Sequence, residues 1–186
     1  MLVYQSRRVK RAFTHTGLDH AIMKVILFGA TGLAGRALLI ELLKEGYKVT
    51  AFVRDPSKIT APHPHLDVIA GDVLQPRDVV NALDGHHAVI SAISEGPTIV
   101  HHTQSRGNGN IIKAMQQAGM QRIIAMGSAG ILQLDEVRLV RDVNYPQEYY
   151  PISEEQYNVF QQLQQSGLQW TQVCPPLILP QGSNGF

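Results

Sequence analysis

The sequence predicts an α/β protein, a doubly wound parallel sheet in a three-layer αβα sandwich. Three observations carry that expectation. A buried-strand run empties into a glycine turn and then a helical pattern over residues 24–36. From Lys24 onward, strand and helix patterns alternate at short spacing, which implies a parallel sheet with right-handed crossovers. Gly46, Gly119 and Gly167 each fall just past a helical run, where a helix-ending glycine belongs.

The expected strands are 24–29, 48–54, 66–70, 87–92, 121–126 and 169–174. Helical periodicity fills 33–45, 76–83, 102–118 and 153–165. Ser153 and Gln156 have the spacing of a capping box at the start of the last helix, with Ile152 and Tyr157 as its hydrophobic staple. One irregular piece, about 127–151, is too long for a simple connector, and loops of that length usually carry function or stay mobile.

The 186 residues, 44% of them hydrophobic, suffice for one domain with a sizeable core. A formal net charge of +1 gives no global attraction to nucleic acid or an anionic membrane, and no apolar run approaches the length of a membrane span. The single cysteine, Cys174, excludes an internal disulfide framework and suits a reducing compartment, so a cytoplasmic location is expected.

Residues 1–22 differ from the rest. Arg7, Arg8, Lys10 and Arg11 crowd together, Asp19 is the only acid, and no hydrophobic periodicity is present. Without this stretch the net charge is −2. A basic, disordered leader, or an over-long start with Met23 as the working first residue, is expected over 1–22, with the folded domain over 23–186. A mitochondrial presequence remains the alternative, and a secretory signal is not expected, because no apolar h-region is present.

The glycine turn carries the chemistry. Gly29 allows a tight turn off the strand, Gly32 lacks the Cβ that would hold a phosphate away from the backbone, and Gly35 lets the next helix pack on the sheet. Free N–H groups at that helix start favour an anion. This is how a Rossmann-type domain grips a dinucleotide pyrophosphate. At the end of the second strand, a carboxylate would favour NAD, whereas a guanidinium would pair with the 2′-phosphate of NADP. Arg54 stands there, with Ser57 and Lys58 behind it, while Asp55 is expected to turn outward and start an Asp-Pro turn. NADP(H) is therefore the expected cofactor, against an ordinary surface arginine.

From Met23 onward the chain resembles an atypical short-chain dehydrogenase/reductase of the NAD(P)-binding, NmrA-like group, in particular its flavin-reductase (biliverdin-IXβ-reductase) branch. The residues that carry the resemblance are Phe28-Gly-Ala-Thr-Gly-Leu-Ala-Gly35, Phe52-Val-Arg-Asp-Pro-Ser-Lys58 and Gly71-Asp-Val73. Val89-Ile-Ser-Ala92, Gly127-Ser-Ala129, Ser166-Gly-Leu168 and Cys174-Pro-Pro-Leu-Ile178 extend it over about 155 residues, in order. The resemblance implies a cofactor site made by Gly29, Thr31, Gly32, Leu33, Gly35, Arg54, Lys58, Asp72, Val73, Ala92 and Ile93. It implies that Asp72 and Val73 flank the adenine, although Asp72 could equally be a turn residue. It places Ser128 near the nicotinamide as the catalytic residue, and Gln156 and Pro175 beside the substrate. Relatives of this kind continue beyond Pro175-Pro176, so a C-terminally truncated domain is expected.

Carbonyl-reducing members of the wider class use Tyr-x-x-x-Lys, in which lysine lowers the tyrosine pKa so that it can protonate an alkoxide. No such pair exists here, and the last lysine is Lys113. Gln156 stands where flavin-reductase-like relatives often carry histidine; it is expected to serve the helix start and to offer substrate at most a neutral hydrogen bond. The eight histidines show no metal-ligand spacing, and Arg36 replaces the lysine of an ATPase phosphate loop, so no metal is expected. The expected activity is hydride transfer from NADPH to a small, flat, conjugated redox acceptor such as flavin. The competing expectation is a non-catalytic dinucleotide sensor, and an epimerase is a third reading that the missing acid disfavours.

Overall fold

The computed structural model describes residues 2–5, 23–60, 62–95, 102–133, 135, 139–143 and 145–175. Strands β1 (Leu2–Gln5), β2 (Lys24–Phe28), β3 (Lys48–Val53), β4 (Leu66–Ala70), β5 (Ala88–Ser91), β6 (Arg122–Met126) and β7 (Gln169–Cys174) form one sheet. Helices α1 (Leu33–Lys44), α2 (Pro76–Ala82), α3 (Thr103–Gln117) and α4 (Tyr150–Gln165) flank it. The strand order is β1-β7-β6-β5-β2-β3-β4, and β2 to β7 are parallel. The doubly wound αβα architecture expected from the sequence is the one observed.

Alternation along β2 shows how the sheet is sandwiched. Ile26 and Phe28 join a core with Val79 of α2, Ile111 and Met115 of α3, and Leu163 of α4. Val25 and Leu27 point to the opposite face and pack with Val49, Ala51 and Leu39 of α1. Each such fully buried side chain contributes roughly 1.5–3 kcal/mol of transfer free energy. A strand apolar on both faces can only be buried from both sides, which explains the continuous hydrophobic runs.

Gly46, Gly119 and Gly167 follow α1, α3 and α4 with positive φ, as their positions in the sequence suggest. Two expectations are corrected. The leader was expected to lack structure throughout, yet Leu2–Gln5 pairs antiparallel with β7, Leu2 opposite Cys174 and Gln5 opposite Thr171. The free edge of β7 offers unpaired N–H and C=O groups, and this short β-prone run satisfies them. Residues 6–22, including the basic cluster, lie outside the described residues.

The second correction concerns the last helix. It begins at Tyr150, three residues before the expected capping box, with Pro151 in its first turn. A proline there loses no hydrogen bond, because the first-turn N–H groups have no helical partner. Ser153 is then a buried interior residue whose hydroxyl caps nothing, and the Gln156 side chain pairs with Gln104 instead. Gln156 therefore does not serve the helix start. Among the described residues, no helix is long and apolar enough to cross a membrane.

Candidate functional site

The strand order reverses between β2 and β5, which are neighbours although a long stretch of chain separates them. Crossovers leave in opposite directions at that point and open a crevice beyond the carboxyl ends of the strands. A cavity of about 760 Å³ occupies it. The glycine turn forms its floor. Gly29 has φ +82°, and a Cβ on it would lie 2.5 Å from the Ala92 carbonyl oxygen at the end of β5. A Cβ on Gly35 would lie 2.0 Å from the Gly29 carbonyl oxygen, so α1 can meet the turn only through glycine. Gly32 is different: its added Cβ would find only the Gly29 oxygen, at 3.4 Å, and would otherwise project into open space. Arg36 Nε donates to the Thr31 carbonyl at 3.0 Å and braces the turn from its own helix.

Most of the residues singled out from the sequence converge here. Gly29, Thr31, Gly32, Leu33, Arg54, Asp72, Val73, Ala92, Ile93, Ser128, Gln156 and Pro175 all line the cavity. Gly35 lies buried beneath the turn, and Lys58 sits on an exposed turn (Pro56–Lys58) outside the lining. Asp55 accepts from Ser57 N–H at 3.1 Å and from Ser57 Oγ at 2.6 Å, and these bonds hold its carboxyl below the ordinary range. The Asp-Pro turn forms as expected and leaves Arg54 as the cation on the lining. Asp72 Oδ1 accepts from Leu74 N–H at 2.9 Å, so it shapes its own turn as well as lining the cavity.

The other end of the cavity was less legible. Tyr145, Pro146, Tyr149 and Ile152 line it together with Met126, Thr103, Ser128 and Gln156. The tyrosines belong to the long irregular segment, whose length was the only signal of a role. Arg141 fastens that segment to α4: its guanidinium lies 4.8 Å from the Tyr157 ring centre and 2.7 Å from Glu154 Oε2. Gly130 lets Tyr145 approach, since a Cβ there would come within 2.9 Å of the phenol oxygen. Of the described lining residues, Arg54 and Asp72 are the ionised ones, both on the β3–β4 side. The Ser128 hydroxyl oxygen is buried and has no hydrogen-bond partner. Below it lies Cys174, 1% exposed, whose thiol is pushed up to about 11 by burial, against a hydrogen bond from the Ser128 backbone.

These features fit a dinucleotide. Gly32 leaves room for a phosphate, and no side chain caps the first turn of α1, so its N–H groups remain for an anion. The fold and this turn define an NAD(P)-binding Rossmann protein. The chain belongs to the NAD(P)H-binding family, whose model matches residues 29–185. It is 31% identical to the uncharacterized protein YwnB of Bacillus subtilis, over 82% of this chain and 71% of that protein. Among solved structures, a proposed epimerase from Bacteroides thetaiotaomicron is 30% identical with a TM-score of 0.71, covering 80% of this chain and 68% of that one. SP1627 of Streptococcus pneumoniae, a proposed NADH-flavin reductase, is 29% identical with a TM-score of 0.62, covering 80% and 69%. The chain spans only 33% of the 3-beta-hydroxysteroid dehydrogenase of Mycolicibacterium neoaurum that it also matches, at 32% identity over 59% of this chain. Its homology is thus to oxidoreductases that bind NAD(P).

Proposed function

We propose that the protein is an NADP(H)-dependent oxidoreductase whose acceptor is a flat conjugated molecule such as flavin. One observation carries this reading: a single cavity joins the glycine turn and Arg54 to an end walled by Tyr145, Tyr149, Met126 and Ile152, with no carboxylate or cationic side chain among the described lining residues there. Bound NADPH would supply the hydride.

The chain's own residues bind, orient and exclude water. Gly32 and the first N–H groups of α1 would hold the pyrophosphate, and Arg54 the 2′-phosphate, with Lys58 adding longer-range attraction. Asp72 and Val73 would bound the adenine, and Ala92 and Ile93 the ribose side. Ser128 would spend its free hydroxyl on orienting nicotinamide or acceptor. Gln156 and Pro175 would border the acceptor.

Reducing an isolated ketone places charge on one oxygen and demands a positioned proton donor. No lysine accompanies the tyrosines here, because the last one is Lys113. A flavin-like acceptor spreads the incoming charge over its rings and takes its proton from solvent. The similarity to SP1627 supports this choice of acceptor.

The test is steady-state oxidation of NADPH with FMN, with simple aldehydes and ketones, and with a no-enzyme blank. Turnover of FMN and not of ketones supports the reading. Brisk ketone reduction overturns the mechanism, and tight NADPH binding without turnover of any flat acceptor assigns the protein to the sensor class.

A further inference from the structure

Three glutamines meet behind the acceptor end of the cavity, from α3, α4 and β7. Gln104, Gln156 and Gln172 are 1%, 5% and 0% exposed. Gln156 Nε2 donates to Gln104 Oε1. Gln172 Nε2 donates to the Gln156 carbonyl at 3.3 Å and reaches Gln156 Oε1 at 3.5 Å. Within α3, Asn108 Nδ2 donates to the Gln104 backbone carbonyl at 2.8 Å. Gln172 occupies space that Gly127 leaves open, since a Cβ on that glycine would stand 3.0 Å from Gln172 Cγ. Only Gln156 of the three lines the cavity.

Burying three amides is costly unless they are paired, and apolar side chains would fill the same volume more cheaply. What the arrangement achieves is orientation. A free glutamine amide can turn over and exchange its oxygen and nitrogen; one held at both atoms by different elements cannot.

Resting on the hydride-transfer reading, we propose that Gln104 and Gln172 are positioning residues that lock the Gln156 amide as a neutral donor–acceptor pair, and that the acceptor carries a lactam or imide edge. A primary amide has two N–H donors and two oxygen lone pairs. Gln104 takes one donor and Gln172 engages one lone pair, so one of each is left. A ring edge with adjacent C=O and N–H answers both. A quinone edge offers only acceptors and leaves the Gln156 oxygen unmatched. A site built to hydrogen-bond a donor discriminates against the analogue that lacks it.

The experiment compares riboflavin, which has an imide edge and no charge, with menadione, a flat quinone without an N–H. Both are titrated onto the NADP⁺-loaded protein, as wild type, Gln104→Met and Gln172→Met, alongside NADPH affinity and thermal melting. Gln156→Asn, which shortens the reach of the same amide, guards against a methionine variant that fails to fold.

All three variants should bind riboflavin about fivefold to tenfold more weakly, and in Gln104→Met and Gln172→Met, which touch no ligand, menadione and NADPH should stay within twofold of wild type. In turnover, the loss should sit in KM for riboflavin and not in kcat. Unchanged riboflavin affinity, an equal loss for menadione, or a wild type that does not prefer riboflavin overturns the proposal. If riboflavin binds as expected and NADPH is not oxidised, the hydride-transfer reading falls and the recognition stands. If both acceptors are reduced and bound alike, the reverse holds.

Discussion

Gly29 and Ala92 touch backbone to backbone: a Cβ on the glycine would lie 2.5 Å from the Ala92 carbonyl oxygen. This contact joins the end of β2 to the end of β5, where the sheet reverses its winding, and it sets the floor of the cavity. Gly35 closes the same joint from the helix side.

Gly35 and Gly32 should therefore separate by phenotype. Gly35→Val meets the Gly29 backbone and should cost about 3 kcal/mol or more, visible as a large fall in melting temperature. Gly32→Val meets open space, so it should melt near wild type yet lose NADPH binding. Normal NADPH titration of Gly32→Val would show that the pyrophosphate binds elsewhere.

Arg54→Ala should weaken NADPH by about 1–3 kcal/mol, the range for charge-assisted hydrogen bonds, and leave NADH within twofold. Nicotinamide fluorescence titrations of both cofactors measure the difference. Equal losses would remove the 2′-phosphate from Arg54.

Ser128→Ala should lower the flavin rate about tenfold or less, because one orienting hydrogen bond is worth about 1 kcal/mol. Its melting temperature should hold, since the hydroxyl oxygen has no protein partner to lose. The wild-type hydride-transfer rate should stay flat from about pH 6 to 8.5, as the described lining residues at that end include no carboxylate or imidazole. A steep single-group pH profile in stopped-flow would contradict this.

Glu155, 3% exposed, accepts from His102 Nδ1 at 2.7 Å and Ser105 N–H at 3.1 Å, tying α4 to the start of α3. Burial pushes its carboxyl up, but the His102 and Ser105 hydrogen bonds and the His102 charge outweigh that and hold it below 4.5. A lowered native value means full stabilisation above the ordinary pKa, lost as pH falls through the native value. Glu155→Gln should thus cost about 1.5–3 kcal/mol near pH 7, shrinking in acid below pH 4.5. Melting curves of both proteins against pH test it; a gap that widens in acid would be the wrong sign.

With its thiol near 11 against an ordinary 9.0, Cys174 should carry about a hundredfold less thiolate at pH 8 than an exposed cysteine. Folded protein should react slowly with a thiol reagent and rapidly once unfolded. Fast labelling of the native form would mean that the β7 end opens.

Local signals made the parallel sheet and the cofactor end readable. The apolar run 25–28, the spacing of Gly29, Gly32 and Gly35, and Arg54 after the second strand each act within a few residues of themselves. Backbone geometry and phosphate contact depend on just such short spans, so the sequence by itself determined the fold class and the dinucleotide floor. The last helix shows the limit. Ser153 and Gln156 match a capping box, yet Pro151 lets the helix start earlier, and burial against α3 and β7 claims the glutamine. Gln104, Gln156 and Gln172 meet only because α3, α4 and β7 pack together, and Leu2–Gln5 joins the sheet only because β7 has a free edge. Side chains some fifty positions apart leave no periodic trace, and their pairing is set by which elements become neighbours. The tertiary structure alone decided the end of the cavity away from the glycine turn for that reason.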